Sequence, residues 1–80
     1  MVKITIKLFG TLHSYCKGYK HTSGMNLETD SEIKVRQVIE QLEIPVSQIG
    51  IVTINGKLAK AEDTVLEGAE VKLFQPLAGG

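Results

Sequence analysis

The 80 residues predict an α+β fold, a mixed sheet of four to five strands with one main helix across one face. Three patterns carry that expectation. Val2, Ile4, Ile6 and Leu8 alternate with Lys3, Thr5 and Lys7, the period of two that gives a strand one buried face. Val35, Val38, Ile39 and Leu42 stand at i, i+3, i+4 and i+7, which places them on one face of a helix. Asn55-Gly56 follows the β-branched run to Ile54 and is a strong hairpin signal, because both turn positions need φ > 0.

In chain order, the alternating segment is the first strand. From Gly10 to Gly24 the pattern gives way to His13, Ser14, Cys16, Lys17, Gly18, Lys20, His21 and Ser23, the composition of a loop or irregular turn. Residues 25–29 read as a short second strand that pairs back on the first as a long-looped hairpin. Ser31 or Asp30 is placed to cap the helix, although neither has Glu or Gln three residues later to complete a capping box. Pro45 ends the helix. A strand from Ile49 to Ile54 follows, and Lys57 and Leu58 begin its return partner. Glu62 to Gly68 reads as a turn region carrying two buried apolar side chains, Val65 and Leu66. In a last strand over roughly 70–75, Val71, Leu73 and Gln75 alternate with Lys72 and Phe74. Parallel pairing of the first and last strands makes the helix a crossover, and the order is that of a β-grasp fold.

The length suits one domain, 1–80, at the small end of what folds without staples. An apolar fraction of 42% against 22% charged is that of a globular chain, and a Trp-free set of aromatics (Phe9, Tyr15, Tyr19, Phe74) leaves the core mostly aliphatic. Nine basic and nine acidic side chains cancel, so no long-range field recruits nucleic acid or an anionic membrane. Partners are expected to be recognised locally. Cys16, the one cysteine, excludes an internal disulfide and gives no sign of an oxidising compartment. The N-terminal alternation resembles neither a signal peptide nor a membrane span, so the cytoplasm is the expected location.

No bound metal or cofactor is expected. His13, Cys16 and His21 share a polar loop, yet their spacing matches no zinc pattern and lacks a fourth ligand. A Cys16–His13 nucleophilic pair lacks an orienting third group. An iron–sulfur cluster needs about four cysteines. Lys3, Lys7, Lys57, Lys60 and Lys72 are matched by numerous acidic residues and accompanied by no stacking aromatics, which reads as a solvated sheet face.

The sequence closes on Pro76-Leu77-Ala78-Gly79-Gly80, expected to be a flexible tail over 76–80. Two residues without Cβ form a thin rod that can enter a narrow channel, and glycine's φ/ψ freedom lets it follow the channel's path. A carboxylate is a poor electrophile, so chemistry at Gly80 requires activation by a partner, most simply adenylation with ATP. The alternative is an idle, frayed end.

Phe9-Gly10-Thr11-Leu12 after the first strand, the helix Val35 to Leu42, Ile54-Asn55-Gly56-Lys57, Leu66-Glu67-Gly68-Ala69-Glu70-Val71 and Phe74-Gln75-Pro76-Leu77-Ala78-Gly79-Gly80 form a set of segments spread over nearly the whole chain. Together they resemble the ubiquitin-like sulfur carriers of the MoaD and ThiS group, the small subunit of molybdopterin synthase and the thiamine-pathway carrier. The resemblance implies a protein substrate and not an enzyme. An E1-like adenylyltransferase of the MoeB/ThiF type, using ATP and Mg, would adenylate Gly80. A cysteine desulfurase or rhodanese system would supply sulfur, and the resulting thiocarboxylate would deliver it to a MoaE-type synthase subunit or to thiazole synthase. By the same resemblance Leu77, Ala78 and Gly79 enter the partner's active site, Pro76 stops the last strand, and Phe74 belongs to the partner interface. Phe74 is equally open to a packing role. The terminus leans to the molybdopterin branch, with molybdenum or tungsten as the metal of the product. Thiamine synthesis, lysine-directed protein modification and a binding module with an idle tail remain as alternatives.

Overall fold

The computed structural model describes residues 1–15 and 24–76. The alternating N-terminal segment is β1, Val2–Leu8, with Ile4, Ile6 and Leu8 turned into the core. A 3-10 turn over Leu12–Tyr15 then brings Leu12 to full burial. β2, Met25–Thr29, returns antiparallel along β1, from Ile6↔Met25 to Val2↔Thr29. β3, Ile33–Lys34, leads directly into α1, Val35–Leu42. After a 3-10 turn at Val46–Gln48 come β4, Ile51–Ile54, and β5, Lys57–Ala59. β6, Thr64–Val65, and β7, Glu70–Phe74, complete the order.

Five strands form the main sheet in the order β2-β1-β7-β4-β5. β1 and β7 are parallel at its centre and the other pairs are antiparallel. The fold is therefore the expected β-grasp. Val35, Val38, Ile39 and Leu42 of α1 join Ile4, Ile6, Val71 and Leu73 of the two central strands in one aliphatic core. Asn55 and Gly56 adopt φ of 52° and 86°, as the hairpin signal requires. Asn55 also clips the turn to β7, its backbone N–H donating to the Glu70 carbonyl at 2.8 Å and its side-chain oxygen accepting from the Glu70 N–H at 2.9 Å.

Three local expectations are corrected. The helix is capped by neither Ser31 nor Asp30: Lys34 is the N-cap residue, and Gln37 accepts a hydrogen bond from its N–H at 2.8 Å. Residues 33–34 are held extended by pairing with 64–65, which moves the cap to Lys34 while the helix runs over Val35–Leu42 as its periodicity predicts. Leu66 is 54% exposed while Val65 is buried, because the β3–β6 pairing turns only Val65 inward. The strands expected over 49–54 and 70–75 are shorter. Ile49 closes the preceding 3-10 turn through its N–H to the Val46 carbonyl, and Gln75 leaves the ladder to bond a loop.

Candidate functional site

Alternation along β7 sends Val71 and Leu73 into the core and Glu70, Lys72 and Phe74 to the face away from it. Phe9 lies beside Phe74 because the chain leaving β1 keeps its parallel register: the Phe9 N–H donates to the Leu73 carbonyl at 3.0 Å. The two rings stack, with centroids 4.6 Å apart and planes within 10°. On the other side of Phe74, β4 places Ile51 directly opposite, and Ile51 is 50% exposed. Cross-strand partners share a face. Phe9, Phe74 and Ile51 thus make an apolar strip across three adjacent strand ends, where β7 ends. The next row along the same face is charged: Glu70 lies between Lys7 at 3.3 Å and Lys72 at 3.7 Å.

The chain leaves the sheet from this strip. Gly50 N–H donates to the Phe74 carbonyl at 2.7 Å. Gln75 then turns its carboxamide onto Thr11, accepting from the Thr11 N–H at 3.0 Å and donating to the Thr11 hydroxyl at 2.6 Å. Two glycines leave space for this path. Gly10 has φ of +68°, and a Cβ there would strike the Gln75 carboxamide. A Cβ on Gly50 would come within 2.7 Å of Pro76 N and Cα. Pro76 itself is exposed and lies beyond the strand. Leu77, Ala78, Gly79 and Gly80 lie outside the described residues.

Elsewhere the chemistry is sparse. His13 Nδ1 sits 3.1 Å from the Gly10 carbonyl oxygen. Cys16 and His21 lie outside the described residues, and among those described no cluster of His, Cys, Asp or Glu is arranged to hold a metal ion. Glu62 bonds Lys34 Nζ at 2.9 Å and Arg36 Nε at 2.8 Å. The Lys34 hydrogen bond, opposed in part by desolvation and aided by Arg36, holds the Glu62 carboxyl below its ordinary range. A cavity of about 390 Å³ opens between α1 and the β4–β5 edge, lined by Val35, Ile39, Val46, Ile49 and Leu58. Lys60 is the single ionisable residue of its lining, and no second polar side chain joins it there. Among the described residues no helix is long and apolar enough to cross a membrane.

Of the residues singled out in the sequence, Phe74 is half-buried in the strip and Pro76 marks the exit. Phe9, Ile51, Gly50 and the Gln75–Thr11 contact escaped that reading. Phe9 had a signal, since it continues the outward alternation past Lys7. The Gln75–Thr11 contact had none, because its partners are 64 positions apart.

The family model described as Mut7-C ubiquitin matches residues 1–77. Among solved structures, the Pyrococcus furiosus protein described as molybdopterin converting factor subunit 1 superposes with a TM-score of 0.72 at 16% identity, over 96% of this chain and 100% of that one. Small archaeal modifier protein 1 of Haloferax volcanii superposes with a TM-score of 0.71 at 20% identity, over 96% of this chain and 100% of its own. A second structure, SAMP1 from Haloferax volcanii, gives 0.68 at 22% identity, over 98% and 99%. At these identities the likeness is one of fold, and the MoaD-like resemblance read from the sequence holds at that level. No curated protein matches the sequence.

Proposed function

Because the chain belongs to the Mut7-C ubiquitin family, we propose that it works as a ubiquitin-like sulfur carrier whose reactive group is the α-carboxylate of Gly80. The observation that carries the reading is the coincidence of an exposed apolar strip, Phe9–Phe74–Ile51, with the point where the chain leaves the central strand. A partner that docks on the strip meets the tail at the same place. The charged row of Lys7, Glu70 and Lys72 beside it supplies local polar contacts.

In this proposal an E1-like adenylyltransferase of the MoeB/ThiF type uses ATP and Mg. The Gly80 carboxylate attacks the α-phosphorus and pyrophosphate leaves. A persulfide sulfur, supplied through a cysteine desulfurase or rhodanese system, displaces AMP, and reduction by a thiol releases the thiocarboxylate. Sulfur is a better nucleophile than the oxygen it replaces, for the reason that thiolates are. Leu77, Ala78 and Gly79 are the thin segment that enters the partner's site. The acceptor we favour is a MoaE-type synthase subunit making molybdenum or tungsten pterin cofactor, with thiazole synthase using the same chemistry. The chain is substrate and donor throughout, not an enzyme.

A second reading is favoured by the likeness in fold to small archaeal modifier protein 1: the activated carboxylate is transferred to lysines as an isopeptide. Intact-mass analysis of the protein isolated from its own cells separates the two. A carrier shows a gain of about 16 Da that localises to the peptide ending in Gly80 and vanishes on hydrolysis. Conjugates to lysines with no such species would replace the carrier reading by the modifier, and neither species would sink both.

A further inference from the structure

The geometry points to Gln75 and Thr11 as positioning residues that aim the tail at the partner's site, an inference that rests on the reading of Gly80 as the reactive end. β7 stops at Phe74, and past that residue no ladder bond prescribes where the chain goes. Its path is nevertheless set on both sides. The Phe74 carbonyl is held by Gly50 N–H at 2.7 Å, and the Gln75 carboxamide makes two bonds to Thr11, at 3.0 and 2.6 Å. Two loops that are remote in sequence, 10–11 and 50, grip the same two residues.

Both loops are shaped for that grip. Gly10 takes φ of +68° and leaves the space that the Gln75 carboxamide fills. Gly50 lets the Pro76 backbone approach to a distance a side chain would forbid. Pro76 then adds a φ locked near −65°, so the direction set at Gln75 carries forward past the last anchored residue. The bonds to Thr11 are solvent-exposed and join no core, so their effect on global stability is small. What they restrict is the direction of the chain at Gln75 and Pro76, the last described residues. An end that leaves in one direction reaches a docked partner's site at a higher effective concentration than one that pivots at Phe74.

The test measures ATP–pyrophosphate exchange by a MoeB/ThiF-type adenylyltransferase from the same organism, with wild type, Gln75→Leu, Thr11→Val and Gln75→Glu. A glutamate at position 75 still accepts from the Thr11 N–H and hydroxyl. Gln75→Leu, which removes both bonds, is expected to lower kcat about tenfold, and Thr11→Val, which removes the hydroxyl bond and keeps the backbone N–H, to lower it less, with KM within about twofold in both, since the docking strip is intact. Gln75→Glu is expected to recover most of the loss, with melting temperatures alike throughout. Unchanged kcat in Gln75→Leu, or an equal loss in Gln75→Glu, overturns the assignment. Should wild type itself support no exchange, the carrier reading fails, and amide hydrogen exchange still decides whether Gln75 anchors the chain. Tenfold faster exchange at Thr11 and Gly50 in Gln75→Leu, with Ile6 unaffected, supports the anchor; unaltered exchange at both overturns it.

Discussion

Glu62 shows how a single exposed side chain ties two parts of the chain without adding to the core. It receives Lys34 from the helix N-cap and Arg36 from the first helical turn, and Arg36 also reaches Glu40 at 3.8 Å. The Lys34 hydrogen bond is the leading cause of its lowered carboxyl pKa. A carboxyl depressed in the folded state contributes stability that is present above its unfolded pKa and lost as pH falls through the folded value. The pair is exposed, so the effect is small and screened by salt. A carbon-detected NMR titration is expected to place the Glu62 midpoint below the ordinary glutamate range, and to return it toward that range in Lys34→Met. A midpoint indifferent to Lys34 would contradict this cause. Gly10 and Gly50 act at the same scale by what they lack: each leaves room for one backbone or carboxamide approach at 75–76.

Among the elements, α1 depends on the sheet more than on its own ends. It has eight residues, too few to persist alone, and its first N–H groups are satisfied from outside, Val35 by the Asp63 carbonyl at 2.9 Å and Arg36 by the Ala61 carbonyl at 3.0 Å. Its stability therefore resides in the buried face. Val38→Ala removes two methyl groups from a fully buried position and is expected to cost about 2 kcal/mol in urea unfolding, whereas Glu40→Ala on the exposed face changes stability by under about 0.5 kcal/mol. Equal effects from the two would mean that the helix is not held by this face.

Such local periodicities explain what was legible in advance. β1, α1 and the Asn55-Gly56 turn each announce themselves within a few residues, and the central parallel pair follows from crossover chemistry once they are in place. The helix itself was legible over Val35–Leu42, but its cap was not, because Ile33 and Lys34 are drawn into a strand by Thr64 and Val65, far along the chain. Leu66 failed for the same reason, its outward direction being set by that pairing. At the site, Phe74 was visible in the sequence, while Phe9 and Ile51 became its neighbours only through β1–β7 and β4–β7 register.

At the scale of the whole molecule, the sheet divides the labour. One face holds the aliphatic core under α1, and the other bears the Phe9–Phe74–Ile51 strip and the Lys7–Glu70–Lys72 row. The most interior strand, flanked on both sides, is the one that leads to the exit. A chain leaving from there starts from a strand hydrogen-bonded on both sides, close to the exposed apolar strip. With zero net charge, the encounter is left to contact chemistry and not to long-range steering.

The most direct measurement is transfer of AMP from ATP to the purified protein by an E1-like adenylyltransferase, read by mass spectrometry of the last peptide. The account predicts one adenylate per chain, carried on Gly80, and none on a chain lacking Gly79-Gly80 or extended past Gly80. Adenylation that proceeds equally well on the shortened or extended chain, or that falls on any other residue, would contradict it.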